Sequence, residues 1–198
     1  MMKLNYRKAI VIVHGKSELQ ICQYIKSNLR LPIEIVSDSN GGNSIQITSL
    51  NNILRNTIFK SKSSFLRNYL VEYDKKSKII NPKFKIFIIM DTDDCTQEQC
   101  DSYKSKKMFE GHWAYDYIFP VFNTKNLEDV LTKAKVPYTK TGDRRKKEYI
   151  KLFPTDPDYK KTDAVQLEEF YKNLKKISSS ELTNLDEFVK FCIDSTDI

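Results

Sequence analysis

The run Phe84-Lys85-Ile86-Phe87-Ile88-Ile89-Met90, ending on Asp91-Thr92-Asp93-Asp94, constrains this chain more than any other stretch of its sequence. It is almost continuously apolar and rich in branched and aromatic side chains, the pattern of a strand buried on both faces of a parallel sheet. Ala9-Ile10-Val11-Ile12-Val13 repeats that pattern near the start and stops at His14-Gly15. Ser17 then reads as the cap of a helix with apolar positions Leu19, Cys22, Ile25 and Leu29, closed by Pro32. Ile33-Glu34-Ile35-Val36 is a second short strand. Residues 49–73 read as one or two helices, and residues 96–109 as a polar helix. A strand at 117–122 follows, then a helix opening at Asn126. Alternating strands and helices give an α/β fold: a Rossmann-like, mainly parallel four-stranded sheet flanked by helices. Residues 1–137 form this domain. Residues 138–198 form a basic, then acidic helical extension packed on it, with a final helix near 184–192.

Composition narrows the function classes. The 198 residues include only 5 Gly and 6 Pro, and 30% are charged, which excludes collagen-like and low-complexity chains. No apolar run has the roughly 18–20 residues that a membrane span needs, and the run after the basic start is too short for a signal peptide. The expectation is a cytoplasmic protein without a membrane partner. Cys22, Cys95, Cys100 and Cys192 are then expected to be reduced thiols. Cys95 and Cys100, with His112 beyond, lack the fourth ligand of a structural zinc site and read as ordinary helix cysteines.

The net charge of +7 is uneven. Residues 133–161 carry ten Lys or Arg against four Asp or Glu, including the run Arg144-Arg145-Lys146-Lys147, whereas the tail from 162 onward is acidic. A second basic stretch runs from Lys60 to Lys85. Such concentrations suit a phosphate backbone, DNA or RNA, or simply a soluble lysine-rich surface. His112-Trp113, with Tyr115 and Tyr117, is either a base-stacking group or a set of buried aromatics beside a strand.

In an open parallel sheet, functional groups gather beyond the carboxyl ends of the strands. Here those ends carry His14-Gly15-Lys16-Ser17-Glu18, Asp91-Thr92-Asp93 and, past the 117–122 strand, Asn126 and Glu128. If the chain stays extended, its period of two puts Asp91 and Asp93 on one side, where hard oxygen ligands with room for water suit Mg²⁺ or Mn²⁺. Gly15-Lys16-Ser17 is not a Walker loop, because Ile10 stands where the upstream glycine belongs. Lys16, near a helix N-terminus, is either a phosphate contact or a solvated lysine. Gly41-Gly42 is either a phosphate-contacting turn or a turn that needs a positive φ.

The hydrophobic strand leading into Gly15-Lys16-Ser17-Glu18, with a later strand ending Asp91-Thr92-Asp93, resembles a TOPRIM domain, over roughly residues 8–135. Asn126-Leu127-Glu128-Asp129 opening a helix after the last strand resembles the OLD/RloB-like nuclease branch. The resemblance implies metal-dependent phosphodiester hydrolysis of DNA or RNA, in phage defence. Asp91 and Asp93 would hold Mg²⁺ or Mn²⁺, Glu128 would be a further acidic contributor, and Gly15, Lys16 and Ser17 would meet phosphate. His14 replaces the usual glutamate and would act as ligand or proton shuttle, with Glu18 approaching the same site if its helix begins early. The alternatives are an inactive nucleic-acid or nucleotide-binding module, and a homodimer or partner subunit of a defence complex.

Overall fold

The computed structural model describes residues 5–136 and 163–196. The strands are β1 (Ala9–Val13), β2 (Ile33–Val36), β3 (Tyr73–Asp74), β4 (Ile79–Ile80), β5 (Lys85–Asp91) and β6 (Ile118–Asn123). The helices are α1 (Lys16–Asn28), α2 (Leu50–Asn56), α3 (Lys62–Asn68), α4 (Gln97–Lys104), α5 (Leu127–Lys133), α6 (Asp163–Ile177) and α7 (Leu185–Asp194). Four strands form one sheet in the order β2-β1-β5-β6, every pair parallel, and β3 and β4 make a small separate hairpin. This is the mixed α/β architecture expected from the sequence, with helices on both faces and a helical C-terminal region.

Alternation along the strands sorts the core into two layers. Val11 and Val13 of β1, Phe87 and Ile89 of β5 and Val121 of β6 face α1, α5, α6 and α7. Ile10, Ile12, Ile86, Ile88 and Met90 face the layer built around α2, α3 and Tyr103 of α4. Both faces being covered explains why β1 and β5 read as unbroken apolar runs. Phe87 packs with ring centroids 5.1 Å from Phe188 and 4.9 Å from Phe191, so α7 lies on the same sheet as the N-terminal strands.

β6 is an edge strand, and Pro120 within it has no N–H to offer a neighbour. Asn184 covers that edge. Its Nδ2 donates to the Pro120 carbonyl at 3.0 Å and its Oδ1 accepts from the Phe122 N–H at 2.9 Å. One side chain thus does what a fifth strand would do for these two groups, blocking edge-to-edge pairing there.

Two local expectations change. Gly15, not Ser17, is the N-cap of α1, so the helix starts at Lys16. Cys95 and Cys100 form a disulfide rather than two thiols, while Cys22 and Cys192 are free and buried. The bridge joins the turn after β5 to α4, and its thiol partners lie five residues apart in sequence, a separation that periodicity does not reveal. Thiol titration of the denatured, unreduced chain should find two reactive groups, and four after reduction. Four groups before reduction would exclude the bridge. No helix of the described residues is long and apolar enough to cross a membrane.

Candidate active site

The sheet order puts the topological switch between β1 and β5, since the chain leaves β1 toward β2 on one side and returns to β5 on the other. Beyond this crevice lie His14, the first turn of α1, Asp91 at the end of β5 and Asn123 at the end of β6. Asp91 is the centre. It is 6% exposed and stands in register with Asn123, whose Nδ2 donates to its Oδ1 at 3.2 Å. Asn123 is itself fully buried and accepts from Thr183 Oγ1 at 3.0 Å. The C-terminal region therefore reaches the site through Thr183 and Asn123.

Burial first, and the charge of Glu18 second, push the Asp91 carboxyl up from 3.8 to about 8; Glu128 adds to the rise, while His14 and the Asn123 hydrogen bond oppose it. Glu18 is near enough to act on the charge of Asp91 because α1 begins at Lys16. At the third position of the helix it is 3% exposed, and its Oε2 accepts from the Gly15 N–H at 2.9 Å. That bond satisfies one of the N–H groups a helix start leaves open. Glu128, in the first turn of α5, accepts from Ser17 Oγ at 2.9 Å. Ser17, expected to bind phosphate, instead ties the first turns of α1 and α5 together and sits buried at 4% exposure. Gly15 is buried as well, and Lys16 is exposed at the helix start.

His14 is held on three sides. Its N–H donates to Ile89 O at 2.9 Å, and its carbonyl accepts from the Ile45 N–H at 2.7 Å. Its Nδ1 lies 2.8 Å from Ile45 O. A carbonyl only accepts, so Nδ1 donates to it, and whenever the ring carries a single proton Nε2 keeps the lone pair. The 38–45 loop that supplies Ile45 packs against α1 at Gly41, which has φ +76°, and a Cβ there would meet Lys16 Cα at 3.0 Å. Of the two readings of Gly41-Gly42, the positive φ and close approach account for Gly41.

The pairing of Asp91 with Asp93 presupposed an extended chain. β5 ends at Asp91, Thr92 bends, and Asp93 and Asp94 form a turn. Asp93 is exposed. Asp94 is exposed as well, but it is the turn acid that feels His14: partial desolvation raises its carboxyl, the histidine charge lowers it, and Asp93 raises it further. Asp94 and Asn123 were missed as site residues, since a turn aspartate and an asparagine ending a strand carry no local mark of a buried partner. Arg144, Arg145, Lys146 and Lys147 lie outside the described residues.

Among the described residues, no three His, Cys, Asp or Glu side chains form a ready cluster for a metal ion. That still fits a hydrated Mg²⁺ or Mn²⁺, which is commonly held by one or two carboxylates together with water and substrate phosphate. The donor set also fits in its chemistry: Asp91, Glu18 and Glu128 are hard oxygen donors whose mutual repulsion a divalent cation would relieve.

No protein-family model matches the chain, and no curated protein matches it in sequence. Among solved structures it is similar to the C-terminal region of the Burkholderia pseudomallei OLD protein, at 10% identity and a TM-score of 0.33, over 96% of this chain and 97% of that one. Likeness at that level carries no argument about activity, which rests on the residues themselves.

Proposed function

We propose that the chain is a divalent-metal-dependent phosphodiesterase of the TOPRIM kind acting on DNA or RNA, with Mg²⁺ or Mn²⁺ as cofactor. The observation that carries this reading is Asp91, buried at the end of a central strand with two further carboxylates and a histidine acting on its charge. Asp91 and Glu18 would hold the cation, which when bound supplies Lewis-acid activation of the phosphate and of water. His14 Nε2, its partner nitrogen fixed on Ile45, would accept the proton of the attacking water. Glu128 would orient that water or complete the ion's surroundings, Asp94 would assist from the turn, and Lys16 would meet the phosphate.

The test is cleavage of labelled single- and double-stranded DNA and RNA with Mg²⁺ and then Mn²⁺. Asp91→Ala should lower the rate by roughly 10²–10³-fold, as loss of a preorganised electrostatic group in such a site does, while Asp93→Ala should cost less than about tenfold. Metal-dependent cutting that survives Asp91→Ala would end this reading. The exposed position of Asp93 favours one rival, a binding module without turnover. That rival requires salt-sensitive binding of nucleic acid with no cleavage under either cation.

A further inference from the structure

Two features of the sequence that the acidic site leaves unused meet elsewhere in the fold. The basic stretch beginning at Lys60 and the pair His112-Trp113 line one cavity of about 440 Å³, together with Arg55, Lys62 and Met108. It shares no lining residue with the Asp91 site. The volume falls within the roughly 300–1,000 Å³ usual for small-molecule sites.

The cavity is preformed. Its two walls, the turn before α3 and the 107–113 segment, are about fifty residues apart in sequence and are joined by hydrogen bonds at one carbonyl. Trp113 Nε1 donates to Phe59 O at 2.5 Å, and His112 Nε2 lies 3.1 Å from the same oxygen. The Ala114 N–H donates to His112 Nδ1 at 3.2 Å, so the imidazole is fully engaged and is neutral with its proton on Nε2. Trp113 is backed by Phe65, with ring centroids 5.2 Å apart, and stays half-buried, so part of its ring faces outward. These aromatic rings are locked in place before any ligand arrives.

The charge is one-sided. Arg55, Lys60 and Lys62 stand around the opening with Glu110 as the opposing acid in the lining. Lys62 already donates to the Lys78 carbonyl and sits over the Tyr73 ring at 5.6 Å. The Arg55 and Lys60 side chains are exposed, and neither makes a hydrogen bond or ion pair among the described residues. Two uncommitted cations beside a fixed indole are complementary to a phosphate joined to an aromatic base.

We propose that this cavity binds a nucleotide, free or as one unit of a strand, with its phosphate on Arg55 and Lys60 and its base against the outward part of Trp113. Trp113 is the single tryptophan of the chain, so its emission reports on this cavity alone. The measurement is a fluorescence titration in EDTA at low salt, with AMP, adenosine and an oligothymidylate of about ten nucleotides. AMP should change the emission saturably, and adenosine should bind at least about tenfold more weakly, because one charge-assisted hydrogen bond is worth that factor or more. Arg55→Glu/Lys60→Glu should weaken AMP by at least about tenfold while leaving Tm unchanged, both side chains being exposed. Oligothymidylate binding more tightly than AMP identifies a strand as the ligand, and the reverse identifies a free nucleotide. No saturable change with either phosphate-bearing probe, or affinity untouched by the charge reversal, overturns the proposal. Because EDTA removes divalent cations, this outcome is independent of whether the Asp91 site cleaves anything.

Discussion

Asparagine in place of Asp91 is expected to stabilise the metal-free protein at pH 8 while abolishing metal-dependent cleavage. The carboxyl is 6% exposed and is raised from 3.8 to about 8, by burial first and the Glu18 charge second. The folded protein thus holds a proton that the unfolded chain has released above pH 4. Stability from the neutral buried carboxyl is fully present below the unfolded value and is lost as pH rises through about 8. Wild-type protein in EDTA should therefore lose stability from pH 5 to pH 8, by something on the order of 3 kcal/mol. An amide has no proton to lose, so Asp91→Asn should be nearly flat over this window and melt higher at pH 8, by about 2–4 °C for each kcal/mol removed. Added Mg²⁺ or Mn²⁺ should raise the wild-type Tm at pH 8 and leave the variant's unchanged. Thermal melts at the two pH values, with and without cation, decide the matter. Equal pH slopes in wild type and variant would show that Asp91 is not the strained carboxyl.

Asn123→Asp tests the same site from its neighbour. Asn123 is fully buried, accepting from Thr183 and donating to Asp91 Oδ1 at 3.2 Å. A carboxylate in its place keeps the Thr183 bond, loses the donor, and faces an acid already crowded by Glu18 and Glu128. At pH 8 the expected loss is about 3 kcal/mol or more, the cost of an uncompensated buried charge. At pH 5 the proton on Asp91 bridges the two carboxyl groups, and the loss should shrink to about 1 kcal/mol, the worth of an altered neutral hydrogen bond. Equal destabilisation at both pH values would mean that side-chain shape, not charge, is what the site demands at position 123.

The layers of the fold were legible because long apolar runs leave little choice. β1 and β5 are buried on both faces, so their side chains announce a parallel sheet without reference to any other segment. The end of β5 at Asp91 was legible too, since a carboxylate cannot continue such a run unpaired. The pairing of Asp91 with Asp93 was not, because it assumed an extended chain where the backbone turns. The roles of Ser17 and the Cys95–Cys100 bridge escaped for a related reason: each depends on a partner that local pattern does not specify.

By its sequence alone this protein was committed to strands where β-branched and aromatic residues run together, to helices where apolar positions recur at helical spacing, and to acids at the strand ends. Those are local consequences of side-chain shape and of what can leave water. Which acids meet was decided only by tertiary structure. The order β2-β1-β5-β6 brings the first turn of α1 to Asp91, and the C-terminal loop to Asn123 through Thr183. Glu18 and Asp91 lie far apart along the chain, as do Asn123 and Thr183, and the physical cause of their meeting is the packing of two covered sheet faces rather than any preference of the residues themselves.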